Sequence, residues 1–386
     1  MKIAVIGAGH AGVEVALAAA KAGAQMTLFS REAALPYYRP RLVSVAFGQA
    51  EPASIEMHPA PWYTQNGINL RLETAVVGLD LVGRTLQVQA SGTTPVSMSF
   101  DGIVIAAGAN PVVPEFPGTG RNALMPLWQL ADAVEIRRRL VPGKRLVIVG
   151  GGLIGIETAV RGITAGLRVT IIERSSRLMA ANLGPAAAGL LCRLLEEKGV
   201  RILTGVSIAE VRSEAGANAL ILEDGNRHEF DMGLVCIGAR ASLDLLKGTT
   251  IQAARGITVD STLRTTVPGI YACGDVAQIG GVVRCSALRA SAQGRVAGKN
   301  VCAEQAGIRP DDYTAAPETV FLKCGDIEIR AFGRVADAST QDCSEILLDA
   351  PSDRTCRVSV LQNGRPIGIQ MINTKTDFDK YVRGIA

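Results

Sequence analysis

Short apolar runs alternate along the chain with longer segments in which apolar and small residues return every three or four positions, a rhythm of strands followed by helices. Ile3-Ala4-Val5-Ile6 is the first run and reads as a buried parallel strand. Gly7-Ala8-Gly9-His10-Ala11-Gly12 follows, and Val13 to Lys21 is a helix stopped by Gly23. The order then repeats. Leu146-Val147-Ile148-Val149 is a second strand, Gly150-Gly151-Gly152-Leu153-Ile154-Gly155-Ile156-Glu157 opens a helix that runs through Gly162, and Arg168 to Ile172 is the next strand, ending on Glu173. A third helix, Ala287 to Glu304, carries Ala290, Gly294, Gly298 and Cys302 at every fourth position, a small-residue stripe that lets it lie close to a neighbour. Thr319 to Cys324 and Ile327 to Phe332 alternate as two strands of a hairpin around Gly325-Asp326.

Composition narrows the class. The 386 residues suffice for two or three domains, and 48% hydrophobic with 20% charged residues excludes wholesale disorder. The 42 glycines imply many turns and close backbone approaches. Only 4% of residues are aromatic, and the net charge of +4 balances 40 basic against 36 acidic groups, so no base-stacking or electrostatic footprint for nucleic acid is present. No apolar run reaches the ~18 residues that cross a bilayer, and the first strand passes directly into glycines instead of a signal-peptide core. The expectation is a soluble cytoplasmic protein with neither nucleic acid nor membrane as partner. Eight cysteines form no Cys-x-x-Cys pair and no metal-ligand cluster, which predicts buried small hydrophobes and no metal site.

The glycines carry the first chemistry. In a strand–loop–helix unit Gly7 makes the tight turn, Gly9 lets a pyrophosphate approach the backbone, and Gly12 permits close helix–strand packing. The helix end then offers free amides to the phosphates. A single loop of this kind is equally a glycine-rich turn of any α/β protein, but Gly150, Gly152 and Gly155 repeat it. Glu173 lies 18 positions after Gly155, near the spacing at which an acid takes the ribose hydroxyls of NAD, and it would repel the 2′-phosphate of NADP. Arg174 and Arg177 leave two readings open: acceptors of such a phosphate, or solvated charges. In the first unit Glu32 follows its strand two positions late; it is the candidate for an adenosine ribose, or a plain surface residue.

Two dinucleotide loops in one chain resemble the two-dinucleotide-binding flavoproteins, the pyridine nucleotide-disulfide oxidoreductases. Thr266 to Val276 is similar to their second flavin motif, which implies that Asp275 meets the ribityl hydroxyls of FAD. Ile103 to Pro111 resembles the stretch linking the FAD and NAD domains, with Ala107 and Gly108 at the flavin, and Leu234 to Arg240 resembles its return, with Gly238 at NAD. The resemblance implies an α/β fold of two Rossmann-like domains of three-layer ββα type: an FAD domain of 1–112 and 242–305, an NAD domain of 113–241, and a small C-terminal α+β domain of 306–386. Gly7, Gly9, His10, Ala11, Gly12, Glu32, Arg39 and Asp275 would serve FAD, and Gly150, Gly152, Gly155, Glu173 and Gly238 would serve NAD(H).

Leu35 to Leu42, with Arg39 by the FAD pyrophosphate or ring, looks most like the NADH:rubredoxin and ferredoxin reductases of that family. Many of these continue with a lysine that pairs with the glutamate of the second loop. Here Val43-Ser44-Val45 offers none, so Glu157 is either a catalytic group near nicotinamide and flavin without that partner, or a first-turn glutamate favoured by the helix dipole. Disulfide reductases carry a cysteine pair in the first helix region; the first cysteine of this chain is Cys192. Cys273, within the flavin motif, reads as packing. The resemblance implies hydride transfer from NADH to flavin N5, then single electrons to a rubredoxin-like or ferredoxin-like acceptor. An NADH oxidase, a flavin dehydrogenase subunit acting on a small molecule, and a non-turnover NADH-sensing flavoprotein are the alternatives. The Arg137-Arg138-Arg139 run is a possible attractor of an acidic redox protein, or a solvated face.

Overall fold

The computed structural model describes residues 1–120, 123–214, 217–317, 319–336, 343–348 and 354–385. Its chain divides into two compact units, one of Met1–Leu42, Ala50–Asn110 and Ala239–Ala316, the other of Val43–Gln49, Pro111–Gly238 and Pro317–Ala386.

In the first unit the apolar run at the N-terminus becomes the central strand, Lys2–Ile6, of a five-stranded parallel sheet. Gln25–Phe29 and Gly102–Ile105 flank it, and Ile68–Arg71 and Ile270–Ala272 form the edges. Ile3, Val5, Leu28, Ile103 and Ile105 are buried almost completely, as a parallel sheet covered on both faces requires. One cover is helical: His10–Lys21 packs on Ala287–Gln305, and the small-residue stripe sets their distance. A Cβ at Gly294 would fall 2.3 Å from the Ala11 carbonyl oxygen, and one at Gly298 would fall 2.5 Å from that of Val15. Leu86 and Val88 join the same core from an antiparallel ribbon of Thr74–Asp80, Thr85–Ala90 and Val96–Ser99, as does Phe100 just after it. Helices, parallel sheet and ribbon make three layers.

The second unit repeats this plan. Its parallel sheet runs in the order Arg201–Thr204, Arg168–Glu173, Arg145–Val149, Met232–Val235, Leu124–Pro126, with the helix Leu153–Thr164 after the central strand. An antiparallel ribbon of Ile208–Glu214, Ala217–Leu222 and Arg227–Phe230 puts Val211, Leu220 and Phe230 into one core with Val147, Val149 and Ile172.

The same unit contains a five-stranded antiparallel sheet near the C-terminus. Its predicted first hairpin is Val320–Cys324 with Ile327–Gly333, paired from Cys324↔Ile327 to Val320↔Ala331. Arg365–Ile372, Cys356–Gln362 and Cys343–Leu347 complete it, and the helix Phe378–Ile385 seats Phe378 against Ile369 and Met371. The helix Pro185–Glu197 is tied to this sheet at both ends. Gly184 N–H donates to Gln370 Oε1 at 2.8 Å, while Arg354 bridges Glu197 and Asp326 at 2.9 and 2.8 Å. No helix among the described residues is long and apolar enough to cross a membrane.

Candidate functional site

The two glycine loops have the same backbone. Gly7 and Gly150 turn at φ of +105° and +111°, where an L side chain is strained, and a Cβ would collide with the Ala106 carbonyl oxygen at 2.3 Å or that of Cys236 at 2.5 Å. Gly9 and Gly152 cap the two helices at φ/ψ of −81°/−168° and −84°/−173°, and a Cβ at either would meet nothing within 4 Å. Gly12 and Gly155 press on their own turns: a Cβ would lie 1.8 Å from Gly7 O and 2.0 Å from Gly150 O. In each helix the first amide to find a loop carbonyl is in the second turn, Val13 N–H on Gly9 O at 3.0 Å and Ile156 N–H on Gly152 O at 2.9 Å. The amides before it face outward from the helix end. Open space over the middle glycine and outward amides together fit a dinucleotide pyrophosphate at both places.

The first helix begins at His10, earlier than the apolar pattern from Val13 suggested. Burial, with Arg39 beside it, lowers His10 to about 4, so its imidazole is neutral near pH 7. Ala107 lies against Gly7, whose Cβ would come within 3.1 Å of the Ala107 Cα, and a Cβ on Gly274 would touch the Ala11 methyl at 2.9 Å. Loop, linking stretch and flavin motif therefore meet. Asp275 accepts a hydrogen bond from Ser286 N–H at 3.3 Å, and Gly274 N–H donates to the buried Gln293 Oε1 at 2.7 Å. Glu32 accepts from Tyr37 Oη at 2.7 Å and from Arg39 at 3.1 Å, with the Arg39 guanidinium 5.3 Å from the Tyr37 ring centre. Gly108 O accepts from Ser242 N–H at 3.0 Å.

In the second unit Glu173 accepts two backbone hydrogen bonds, from Gly151 N–H at 2.7 Å and Ser175 N–H at 2.6 Å. Arg177 is engaged by the carbonyls of Leu183 and Ala180 at 2.9 and 3.3 Å, whereas Arg174 is exposed. Gly238, at φ +99°, follows Cys236 beside the loop, and its carbonyl accepts from Val112 N–H at 3.0 Å.

Glu157 requires a correction. It is the fifth residue of Leu153–Thr164, past the first turn, so the helix dipole does not account for it. Its partner is Arg161, one turn on at 3.7 Å, and Arg161 also bonds the Gln49 side chain. Burial pushes the Glu157 carboxyl up against the pull of that guanidinium. The i,i+4 spacing of Glu157 and Arg161 was the available signal for this pair. Nothing local in the sequence announced Tyr37 on Glu32 or Gln293 on Gly274. Cys273 is fully buried and its thiol is pushed up to about 12, as expected of a packing residue.

The profile of the pyridine nucleotide-disulphide oxidoreductases matches residues 1–314. The chain belongs to that family. It is an FAD-dependent NAD(P)H oxidoreductase whose cofactors are FAD and NAD(H). It is 33% identical over 313 residues to the rubredoxin-NAD(+) reductase of Pseudomonas putida, a match covering 78% of this chain and 80% of the relative. It is 34% identical to the ferredoxin–NAD(+) reductase component of the biphenyl dioxygenase system of Paraburkholderia xenovorans (strain LB400), covering 71% and 67%. Among solved structures, the ferredoxin reductase for the CYP199A2 system from Rhodopseudomonas palustris superposes with a TM-score of 0.86 at 26% identity, over 98% of this chain and 92% of that one.

Proposed function

We propose that this oxidoreductase carries electrons from NADH to a small iron–sulfur protein of rubredoxin or ferredoxin type, in the cytoplasm, where its eight free cysteines stay reduced. The observation that carries the reading is the pairing of two fully formed dinucleotide loops with a flavin motif whose one cysteine is buried and protonated. Without a dithiol at the flavin, electrons have no internal thiol relay and leave to an outside acceptor. The rubredoxin and ferredoxin reductases named above support the same direction.

In this reading Gly7, Gly9, His10, Ala11, Gly12, Glu32, Arg39, Ala107, Gly108 and Asp275 hold FAD, and Gly150, Gly152, Gly155, Glu173 and Gly238 hold the nicotinamide nucleotide. FAD, when bound, accepts a hydride from reduced nicotinamide and yields electrons one at a time. The chain supplies position and charge. Neutral His10 adds no fixed positive charge at the pyrophosphate loop. Glu173, pinned by two amides, keeps its carboxylate in place for ribose hydroxyls and against a 2′-phosphate. Arg177 is committed to carbonyls, which removes one of the two arginines that could offset that preference, so Glu173 favours NADH over NADPH. Glu157, without the lysine that many of its relatives carry, is held instead by Arg161 of its own helix.

Steady-state NADH consumption with purified rubredoxin as acceptor, against oxygen alone, tests the reading. An increase in kcat/KM of orders of magnitude over the air background is the expected result. No effect of rubredoxin, with fast turnover in air, would make the protein an oxidase.

A further inference from the structure

Two polar side chains of the C-terminal sheet meet at one glycine far along the chain from them. Gln370 is 1% exposed, between Ile369 and Met371, which are sealed completely. An amide in such a place costs stability unless it is hydrogen-bonded, and its Oε1 atom accepts Gly184 N–H at 2.8 Å. Glu345, half-buried on the edge strand Cys343–Leu347, comes to the same glycine: a Cβ on Gly184 would collide with Glu345 Oε1. Burial raises the Glu345 carboxyl, and the Ala186 amide, the Gln370 side chain and the Arg177 guanidinium draw it back down.

Gly184 ends a loop that begins at the ribose acid. Glu173 closes its strand, and residues 174–183 lead from it to Gly184 and the helix Pro185–Glu197. Gly151 ties the loop to that acid: its N–H donates to Glu173 at 2.7 Å, and its carbonyl accepts Met179 N–H at 2.9 Å. Met179 stands at φ +49°, a left-handed conformation that a methionine keeps only where its surroundings impose it. Those surroundings lie on the Gly184 side. Met179 O accepts the amides of Asn182 and Leu183 at 2.7 and 2.8 Å, and Arg177 spans the carbonyls of Ala180 and Leu183 at 3.3 and 2.9 Å. Leu178, Met179 and Leu183 are buried. An unbroken series of covalent and hydrogen bonds therefore runs from Gln370 through Gly184, Leu183 and Met179 to Gly151 and Glu173.

We infer that Gln370 and Glu345 are positioning residues for coenzyme selection: from the C-terminal sheet they lock the loop 174–184 in the form that fixes Glu173 for ribose hydroxyls and keeps Arg177 from a 2′-phosphate. The inference rests on the NADH preference proposed above. Gln370 fixes the end of the loop by one buried hydrogen bond. Glu345 acts on Arg177 by charge: with the carboxylate present the guanidinium stays on the loop carbonyls, and without it the guanidinium is free to pair with an added phosphate. Neither residue acts on the reacting atoms, so their loss changes coenzyme affinity and not the hydride step.

The test compares the full-length flavin-loaded protein with Gln370→Leu, Glu345→Gln and, as a control, Ile369→Ala, which opens a cavity on the opposite face of the same strand. NADH and NADPH oxidation with ferricyanide, which needs no protein partner, gives kcat and KM for each coenzyme. Gln370→Leu and Glu345→Gln should raise the KM for NADH about fivefold to tenfold at unchanged kcat and flavin content, and Glu345→Gln should also lower the KM for NADPH. Ile369→Ala should lose thermal stability and keep the parent's ratio of NADH to NADPH activity. A parent that prefers NADH, with variants that keep its preference or lose both coenzymes in parallel as Ile369→Ala does, would overturn the positioning role and leave the proposed function standing. A parent that takes NADPH as well as NADH would overturn the coenzyme assignment, and the positioning role with it.

Discussion

The two dinucleotide loops differ less in their glycines than in how each holds its acid. Their turning glycines agree within a few degrees, at φ +105° and +111°. Yet Glu32 is gripped by two side chains, Tyr37 and Arg39, whereas Glu173 is gripped by two backbone amides. Glu32 is thus held by side chains of its own segment, and Glu173 by amides of the loop and of the turn after its strand. In the function proposed above the first acid would serve the flavin and the second the nicotinamide coenzyme. The first helix also opens with His10 and the second with Leu153, so only the first helix begins with an imidazole.

Filling the glycine that both loops share should have the largest effect. Gly12→Ala should abolish flavin retention and cost about 3 kcal/mol or more, since its Cβ would lie 1.8 Å from Gly7 O. Gly155→Ala meets the equivalent clash at 2.0 Å but should keep its flavin, while anaerobic flavin reduction by NADH slows at least about a hundredfold. Flavin content and reduction rate read the two outcomes separately; loss of flavin in both variants would deny the division of labour.

Removing either acid has the next largest effect. Glu173→Ala should lower kcat/KM for NADH about tenfold to a hundredfold and NADPH much less, the loss expected of a charged hydrogen bond. Glu32→Ala should weaken flavin binding about tenfold and leave the KM for NADH alone. A shared effect on both ligands would show that the two grips are not separate.

The parallel strands, both loops and the flavin motif are legible in the sequence because each is local: strand, glycines and helix lie within about twenty residues. The stripe of Ala290, Gly294 and Gly298 is legible for the same reason, although its partner, the helix of Ala11 and Val15, is far off in the chain. The antiparallel ribbons at 74–99 and 208–230 escaped because half-exposed strands such as Val96–Ser99 carry little apolar alternation. Tyr37 on Glu32 and Gln370 on Gly184 escaped because side-chain hydrogen bonds leave no periodic trace. Glu157 was misplaced within its helix because the helix starts at Leu153, one turn earlier than a dipole-capping role requires.

A pH effect sharpens the contrast at smaller scale. His10 is lowered from 6.5 to about 4, so the unfolded chain binds its proton first as pH falls. In flavin-free protein its contribution is full above pH 6.5 and lost toward pH 4, on the order of 3 kcal/mol. His10→Asn should flatten thermal stability across that window. Bound FAD should flatten it too, because its pyrophosphate favours the imidazolium; an unchanged slope on flavin binding would separate His10 from the phosphates. The smallest effect belongs to Cys273→Ser, which should change turnover less than about twofold while costing about 1–3 kcal/mol for a buried hydroxyl. A large loss of turnover at full flavin content would return the thiol to the chemistry.

In the function proposed above, reduced flavin passes its electrons to an iron–sulfur protein. Double-mixing stopped-flow tests it most directly: the protein is reduced anaerobically with one equivalent of NADH, then mixed with oxidised rubredoxin or with aerated buffer, and flavin reoxidation is followed. Rubredoxin should reoxidise the flavin much faster than air and be itself reduced in step. Reoxidation by air that outruns rubredoxin, or a reduced flavin indifferent to both, would contradict it.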